Sequence, residues 1–295
     1  MASSPLASPD PPPLAGLRVV CAAVYVPALV AARRLRDAGA EVAVVVPPGG
    51  DPLELVARGW YDALHRGCAT HRLDLKAAAD AARFDELLAG ADVLVTAFRP
   101  SALDRLGLDW ASLHARHPSL CHVAITGFAP PDAEEPGHDL TYQARAGLLC
   151  PPAMPRTLLA DLAGGERAAL AATALLLARE RGGGARRADV SLAESATSLA
   201  DPLRFGLTAS DGILGGALPG YGLYAARDGW VALAALEPHF WLRLGAALGV
   251  PDAALDRREL ERIFAAESAE HWERWARENA IPLTAVRTPQ TPNDE

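Results

Sequence analysis

Along the first half of the chain, short unbroken apolar runs alternate with longer stretches in which apolar positions recur every three to four residues. The short runs suit strands buried on both faces, and the longer stretches suit amphipathic helices. The runs predict strands over 17–22, 41–46, 70–75, 91–96, 120–126 and 188–192. The periodic stretches predict helices over 28–38, 77–88, 101–106, 166–179 and 193–207. In the first helix Leu29, Val30, Ala32 and Leu35 share a face, and Arg33, Arg34, Arg36 and Asp37 lie opposite. Pro27 suits its first turn and Gly39 its C-terminal end. Ser101 is the N-cap candidate for the third helix. A strand, helix, strand order repeated in this way specifies an α/β fold with a parallel sheet.

The pattern changes over 211–222, where Gly, Leu and Pro accumulate and no long helix is expected. A domain boundary is placed there, giving a large domain over 14–210 and a small α+β domain over 211–295. Residues 224–233 read as a hairpin about Arg227-Asp228-Gly229. Glu237 precedes Pro238 at the start of the next helix, and helical spacing continues to about 279. Trp272 and Trp275 fall on one helix face as core residues.

Composition narrows the classes. The chain has 295 residues, 50 % hydrophobic and 22 % charged, a globular balance. Its formal net charge of -8 argues against nucleic acid as a partner, because phosphate contacts need a basic face. The cysteines, Cys21, Cys68, Cys121 and Cys150, show no Cys-x-x-Cys spacing, so neither a metal site nor a redox motif is expected. Residues 1–13 read as a disordered, Ser- and Pro-rich lead-in with no signal-peptide pattern. The longest apolar run, 19–32, is too short to span a bilayer. A soluble protein of a reducing, cytoplasmic compartment is expected.

Two stretches concentrate the chemistry. Gly137-His138-Asp139-Leu140-Thr141-Tyr142 sets a histidine beside a carboxylate after a loop-type run over 130–136. Asp161-Leu162-Ala163-Gly164-Gly165 sets a lone carboxylate before a glycine pair and a long apolar helix. Imidazole titrates nearest neutral pH, and the helix dipole favours an ionised carboxylate at a helix start. His138 and Asp161 thus fit a base and an acid for moving one proton. They fit equally a loop histidine and an N-cap. Open α/β sheets place ligands beyond the carboxyl ends of their strands, and the loop carrying His138 leaves the strand at 120–126 from that edge. No Gly-x-Gly-x-x-Gly follows the first strand, so a dinucleotide site is not supported. Arg179, Arg181, Arg186 and Arg187 flank Gly182-Gly183-Gly184 and read as solvated loop charges ahead of a phosphate site.

In order along the chain, several motifs together resemble one family. They are Pro13-Leu14-Ala15-Gly16-Leu17-Arg18-Val19-Val20, Ala38-Gly39-Ala40-Glu41-Val42, Arg66-Gly67 with Leu73-Asp74-Leu75-Lys76, Ala91-Asp92-Val93-Leu94-Val95, and Phe98-Arg99-Pro100 with Leu106-Gly107-Leu108. Ile125-Thr126-Gly127-Phe128, the His138 and Asp161 stretches, Asp189-Val190-Ser191-Leu192 and Leu236-Glu237-Pro238-His239-Phe240-Trp241 follow. Over about 13–287 the chain resembles the family III CoA-transferases, and within them the 2-methylacyl-CoA racemase branch.

The resemblance implies a Rossmann-like large domain, a smaller second domain and an interlocked homodimer. It implies an acyl-CoA substrate, CoA being part of the substrate and no other cofactor being required. His138 and Asp161 occupy the positions of the racemases' two proton carriers, on opposite faces of the α-carbon, with Glu237 in support. Asp139, Tyr142, Gly164, Gly165, Arg66 and Arg99 are the expected substrate-binding residues. Gly164 and Gly165 are expected to admit the thioester closely, and backbone N–H groups after Asp161 to bind the enolate oxygen. In the transferases of the family the same aspartate is a nucleophile and the histidine is generally absent. The presence of His138 favours the racemase branch. The rival readings are a CoA-transferase using Asp161 alone, a proton-transfer tailoring enzyme acting on another thioester, and a non-catalytic binding relative. The chain departs from the family pattern in its first loop, Cys21-Ala22-Ala23-Val24-Tyr25-Val26, which has no arginine. Cys68 replaces the basic residue usual after Arg66-Gly67, and the chain is short between Cys150 and Thr157 and after Pro282.

Overall fold

The structure is a computed structural model, and it describes residues 11–251 and 254–287. Residues 1–10 of the expected lead-in lie outside the described residues. The chain divides into two compact units between Ala200 and Asp201, whereas the sequence placed a boundary at 210/211.

The first unit is built on β1 (Arg18–Ala22), β2 (Glu41–Val46), β3 (Ala69–Arg72), β4 (Val93–Thr96), β5 (Cys121–Thr126) and β6 (Arg187–Ser191). They form one parallel sheet in the order β3-β2-β1-β4-β5-β6. The helices are α1 (Val26–Asp37), α2 (Pro52–Val56), α3 (Arg58–His65), α4 (Ala78–Ala89), α5 (Pro100–Arg105), α6 (Trp110–Arg116), α7 (Asp139–Arg145), α8 (Leu159–Ala178) and α9 (Leu192–Leu199).

The apolar runs are buried on both faces because each side of the sheet carries its own core. Val19, Cys21, Val42 and Val44 point into a cluster with Leu29 and Leu35 of α1 and Ala168 and Ala172 of α8. Val20, Ala22, Val45 and Leu94 point the other way, towards Phe84 and Leu88 of α4, Leu103 of α5 and Leu113 of α6. Alternation of side chains along a strand sends neighbours to opposite layers, so a sheet covered twice needs an unbroken apolar run. One polar pair is enclosed: His122 Nε2 lies 2.9 Å from Thr96 Oγ1, and the histidine is wholly buried.

Four local expectations are corrected. Ser101 does not cap α5; Arg99 holds the N-cap position and Pro100 opens the helix. Glu134 draws Ser101 away, accepting from its N–H at 2.6 Å and its hydroxyl at 3.0 Å. The helix expected from 166 begins at Leu159, so Asp161 and the glycine pair lie within α8. The loop expected about His138 turns into α7 directly after that residue. The helix expected over 193–207 stops at Leu199, and Asp201–Arg204 forms a separate turn, α10, around Pro202. Proline lacks an N–H and crowds the preceding turn, so the longer helix cannot continue through it.

In the second unit β7 (Tyr221–Ala226) and β8 (Gly229–Ala234) form the expected antiparallel hairpin about Arg227-Asp228. β9 (Leu283–Ala285) adds to β8. Helices α11 (Pro238–Leu248), α12 (Arg257–Phe264) and α13 (Ala269–Glu278) share a core with the sheet. Trp272 is buried there, with Trp275 packed against it.

Candidate active site

The carboxyl ends of β1, β4 and β5 open onto one cleft of about 360 Å³. Its walls are Tyr25 and Pro27 after β1, Phe98 and Arg99 after β4, and Thr126 and Gly127 after β5. His138, Tyr142 and Asp161 complete it. β1 pairs with both β2 and β4, so the cleft lies where the strand order reverses, the usual ligand site of such a sheet.

His138 is the N-cap residue of α7. Its backbone is fixed by Thr141, whose Oγ1 accepts the His138 N–H at 3.0 Å and donates to the His138 carbonyl at 2.8 Å. The imidazole stands edge to face with Tyr25, their ring centres 6.4 Å apart.

Asp161 is placed by its neighbour in sequence to His138. Asp139 is buried, and its Oδ1 accepts the Asp161 N–H at 3.0 Å. Its Oδ2 accepts from Gln143 Nε2 at 2.5 Å, and the same amide nitrogen donates to the Thr157 carbonyl at 3.1 Å. These bonds stitch α7 to the first turn of α8 and bring His138 and Asp161 to one cleft. Burial, then the Asp139 charge, pushes the Asp161 carboxyl up to about 7. The helix dipole was expected to favour the ionised form; desolvation and a like charge outweigh it here.

Tyr142 lies 3 % exposed, its ring edge to face with Phe128. Two glycines make room for it: a Cβ on Gly127 would lie 2.4 Å from its hydroxyl, and one on Gly137 2.4 Å from its ring. Burial, then the Asp161 charge, raises its phenol to about 12, so it remains a donor at working pH.

The other expected binding residues are placed differently. Arg99 lines the cleft, but Arg66 does not; it ends α3, and its carbonyl accepts from Arg36. Gly164 and Gly165 are buried and do not line the cleft. A Cβ on Gly164 would meet Leu192, and one on Gly165 would lie 2.6 Å from the Pro27 carbonyl oxygen. The pair lets α8 press against α1 and α9. The N–H groups after Asp161 are taken up by the helix, Leu162 bonding the Leu158 carbonyl at 3.0 Å. They are therefore not free for an enolate oxygen. Glu237 is the N-cap residue of α11 in the second unit, exposed and without a side-chain capping bond.

Arg179 pairs with Asp92 at 2.7 Å and Arg187 with Asp189 at 2.6 Å, so these arginines tie the chain to itself. Among the described residues no group of His, Cys, Asp and Glu is arranged to hold a metal ion, and no helix is long and apolar enough to cross a membrane. Tyr25, Phe98 and Gln143 were not among the expected site residues. The first two lie in loops directly after β1 and β4, the position that would have marked them.

The fold and cleft are those of an α/β protein whose pocket lies at the switch point of its parallel sheet. The chain belongs to CoA-transferase family III, whose model matches residues 14–294. It is 28 % identical to succinyl-CoA–D-citramalate CoA-transferase of Chloroflexus aurantiacus, over 86 % of this chain and 69 % of that protein. It is 31 % identical to alpha-methylacyl-CoA racemase of Mus musculus, over 85 % of this chain and 71 % of that protein. Among solved structures, the hypothetical protein Rv3272 of Mycobacterium tuberculosis superposes with a TM-score of 0.81 at 27 % identity, covering 95 % of this chain and 85 % of that one.

Proposed function

We propose that the protein is a racemase or epimerase of α-substituted acyl thioesters, of the 2-methylacyl-CoA kind. The observation that carries this reading is the presence of His138 and Asp161 in one cleft, with the Asp161 carboxyl raised to about 7. One of the two takes the α-proton as the C–H electron pair moves into the thioester carbonyl, giving a planar enolate. The other returns a proton to the opposite face, and the centre inverts. Exchange with water restores the starting protonation. A general acid or base works best with a pKa near the operating pH, which favours the Asp161 carboxyl for this task. The protonated Tyr142 hydroxyl and the Arg99 guanidinium are the donors available in the cleft for the enolate oxygen or the ligand's anionic groups. The supporting role of Glu237 follows from the family resemblance alone.

The named CoA-transferase relatives favour a second reading. There the Asp161 carboxylate attacks the thioester carbonyl, the CoA thiolate leaves, and a mixed anhydride forms on the enzyme. A carboxyl near 7 is only partly ionised at neutral pH, which weakens it as a nucleophile, and this route leaves His138 without a task. The test is incubation with one enantiomer of a 2-methylacyl-CoA in deuterated water. Inversion with one α-deuterium gained supports the racemase. Movement of CoA onto a labelled free acid, without deuterium gain, supports the transferase.

A further inference from the structure

We propose that Tyr25, clamped by Asp51 in a strained backbone conformation, positions the His138 ring in the cleft. The inference rests on the reading of His138 as a proton carrier.

Tyr25 has φ 80° and ψ 162°. Ala280 is the only other described non-glycine residue with a positive φ, and at 51° it sits at the end of a helix, where the left-handed region is common. The Tyr25 combination lies in territory almost reserved for glycine, and such strain persists only where the surroundings over-determine it. Here Asp51 does so. It is 1 % exposed, and both carboxylate oxygens are engaged. Oδ2 accepts the Tyr25 N–H at 3.0 Å, and Oδ1 accepts the Leu53 N–H at 2.8 Å, capping α2. A buried acceptor on β2's following loop thus fixes the peptide of the loop that follows β1. The result is that the Tyr25 side chain faces the cleft, half exposed, edge-on to the His138 imidazole. An edge-to-face neighbour restricts the tilt of the imidazole, while Thr141 holds the His138 backbone.

The experiment compares the full chain with Tyr25→Gly, Tyr25→Phe and Asp51→Asn. His138 is followed by its ring-proton NMR resonance and its titration, and activity by α-deuterium exchange. Tyr25→Gly is expected to fold with an unchanged or higher melting temperature, because glycine adopts this φ freely. In it the His138 resonance and titration midpoint move, and exchange falls about tenfold in kcat with KM little changed. Asp51→Asn, which can serve only one of the two N–H groups, moves the resonance in the same sense. Tyr25→Phe keeps the ring and restores the parent values. A Tyr25→Gly protein whose His138 resonance and titration match the parent overturns the proposal. If the parent itself shows no exchange, the proton-transfer reading fails while the resonances still decide whether Tyr25 positions His138.

Discussion

The backbone N–H of Asp161 donates to the carboxylate of Asp139 at 3.0 Å, so the acidic residue of the Gly-His-Asp stretch acts on the first residue of the Asp-x-x-Gly-Gly stretch. Two motifs about twenty residues apart in sequence become one unit. Asp139 positions the Asp161 backbone and its negative charge adds to the burial that raises the Asp161 carboxyl.

Replacing Asp139 by Asn keeps a buried hydrogen-bonding group but removes that charge. The Asp161 pKa is expected to fall from about 7, burial still holding it above the ordinary range. The limb of the pH–rate profile that reports Asp161 then moves to lower pH, which exchange rates measured from pH 5 to 9 will show.

Asp161 should also oppose folding at neutral pH. Its carboxyl titrates at about 7 in the folded protein against an ordinary 3.8, so the folded state holds the proton more tightly. Stability from this group is therefore present below 3.8 and lost as pH rises towards 7. Asp161→Asn removes that loss. Partial solvent access reduces the effect below the full linkage value, to about 1–3 kcal/mol of added stability at pH 8. Urea denaturation of the two proteins at pH 8 and pH 5 checks it: the difference should shrink at the lower pH.

His122 works in the other direction of pH. Burial lowers its pKa from 6.5 to about 3, so the unfolded chain takes up a proton first on acidification. Stability is full above 6.5 and is lost as pH falls towards 3, by at most about 1.4 kcal/mol per pH unit. His122→Leu should show a shallower loss between pH 6.5 and 4.5 in denaturant midpoints, although its stability at pH 8 is lower because the Thr96 hydroxyl loses its partner.

The glycine pair of α8 should respond unequally to alanine. At Gly165 the new methyl would meet the Pro27 backbone oxygen and Val30 Cβ, both at 2.6 Å. Neither moves easily, so Gly165→Ala should destabilise by about 1–3 kcal/mol even after the gain in helix propensity. At Gly164 the obstacle is the end of the Leu192 side chain, which can rotate, so Gly164→Ala should be close to neutral. Melting temperatures of the two variants separate these outcomes.

The layered sheet was legible in the sequence because burial on both faces leaves a near-continuous apolar, β-branched run such as Glu41–Val46. The hairpin at Arg227-Asp228 was legible for a similar local reason. The short helices α2, α3, α6 and α7 were not, since one or two turns carry too few repeats for periodicity to register. The start of α8 was misplaced because its periodicity was read only from beyond the glycine pair, whereas close packing on α1 and α9 retains Gly164 and Gly165 within the helix. His138, Asp161, Tyr142 and Arg99 were marked by motif and do line one cleft. The raised pKa of Asp161 was hidden, because it arises from burial and from the three-dimensional approach of Asp139. Asp51 and Tyr25 were hidden for the same reason: their bond joins loops after different strands.

The central claim is that His138 and Asp161 move one proton across an α-carbon. The most direct test is α-deuterium gain from deuterated water by a 2-methylacyl-CoA, comparing the parent chain with His138→Ala at matched folding. The two-carrier account predicts rapid deuterium gain with inversion by the parent, and inversion slower by about 10²–10⁴-fold in the variant. A His138→Ala protein that inverts the substrate as fast as the parent, or a parent that gains no deuterium while transferring CoA to a free acid, would contradict it.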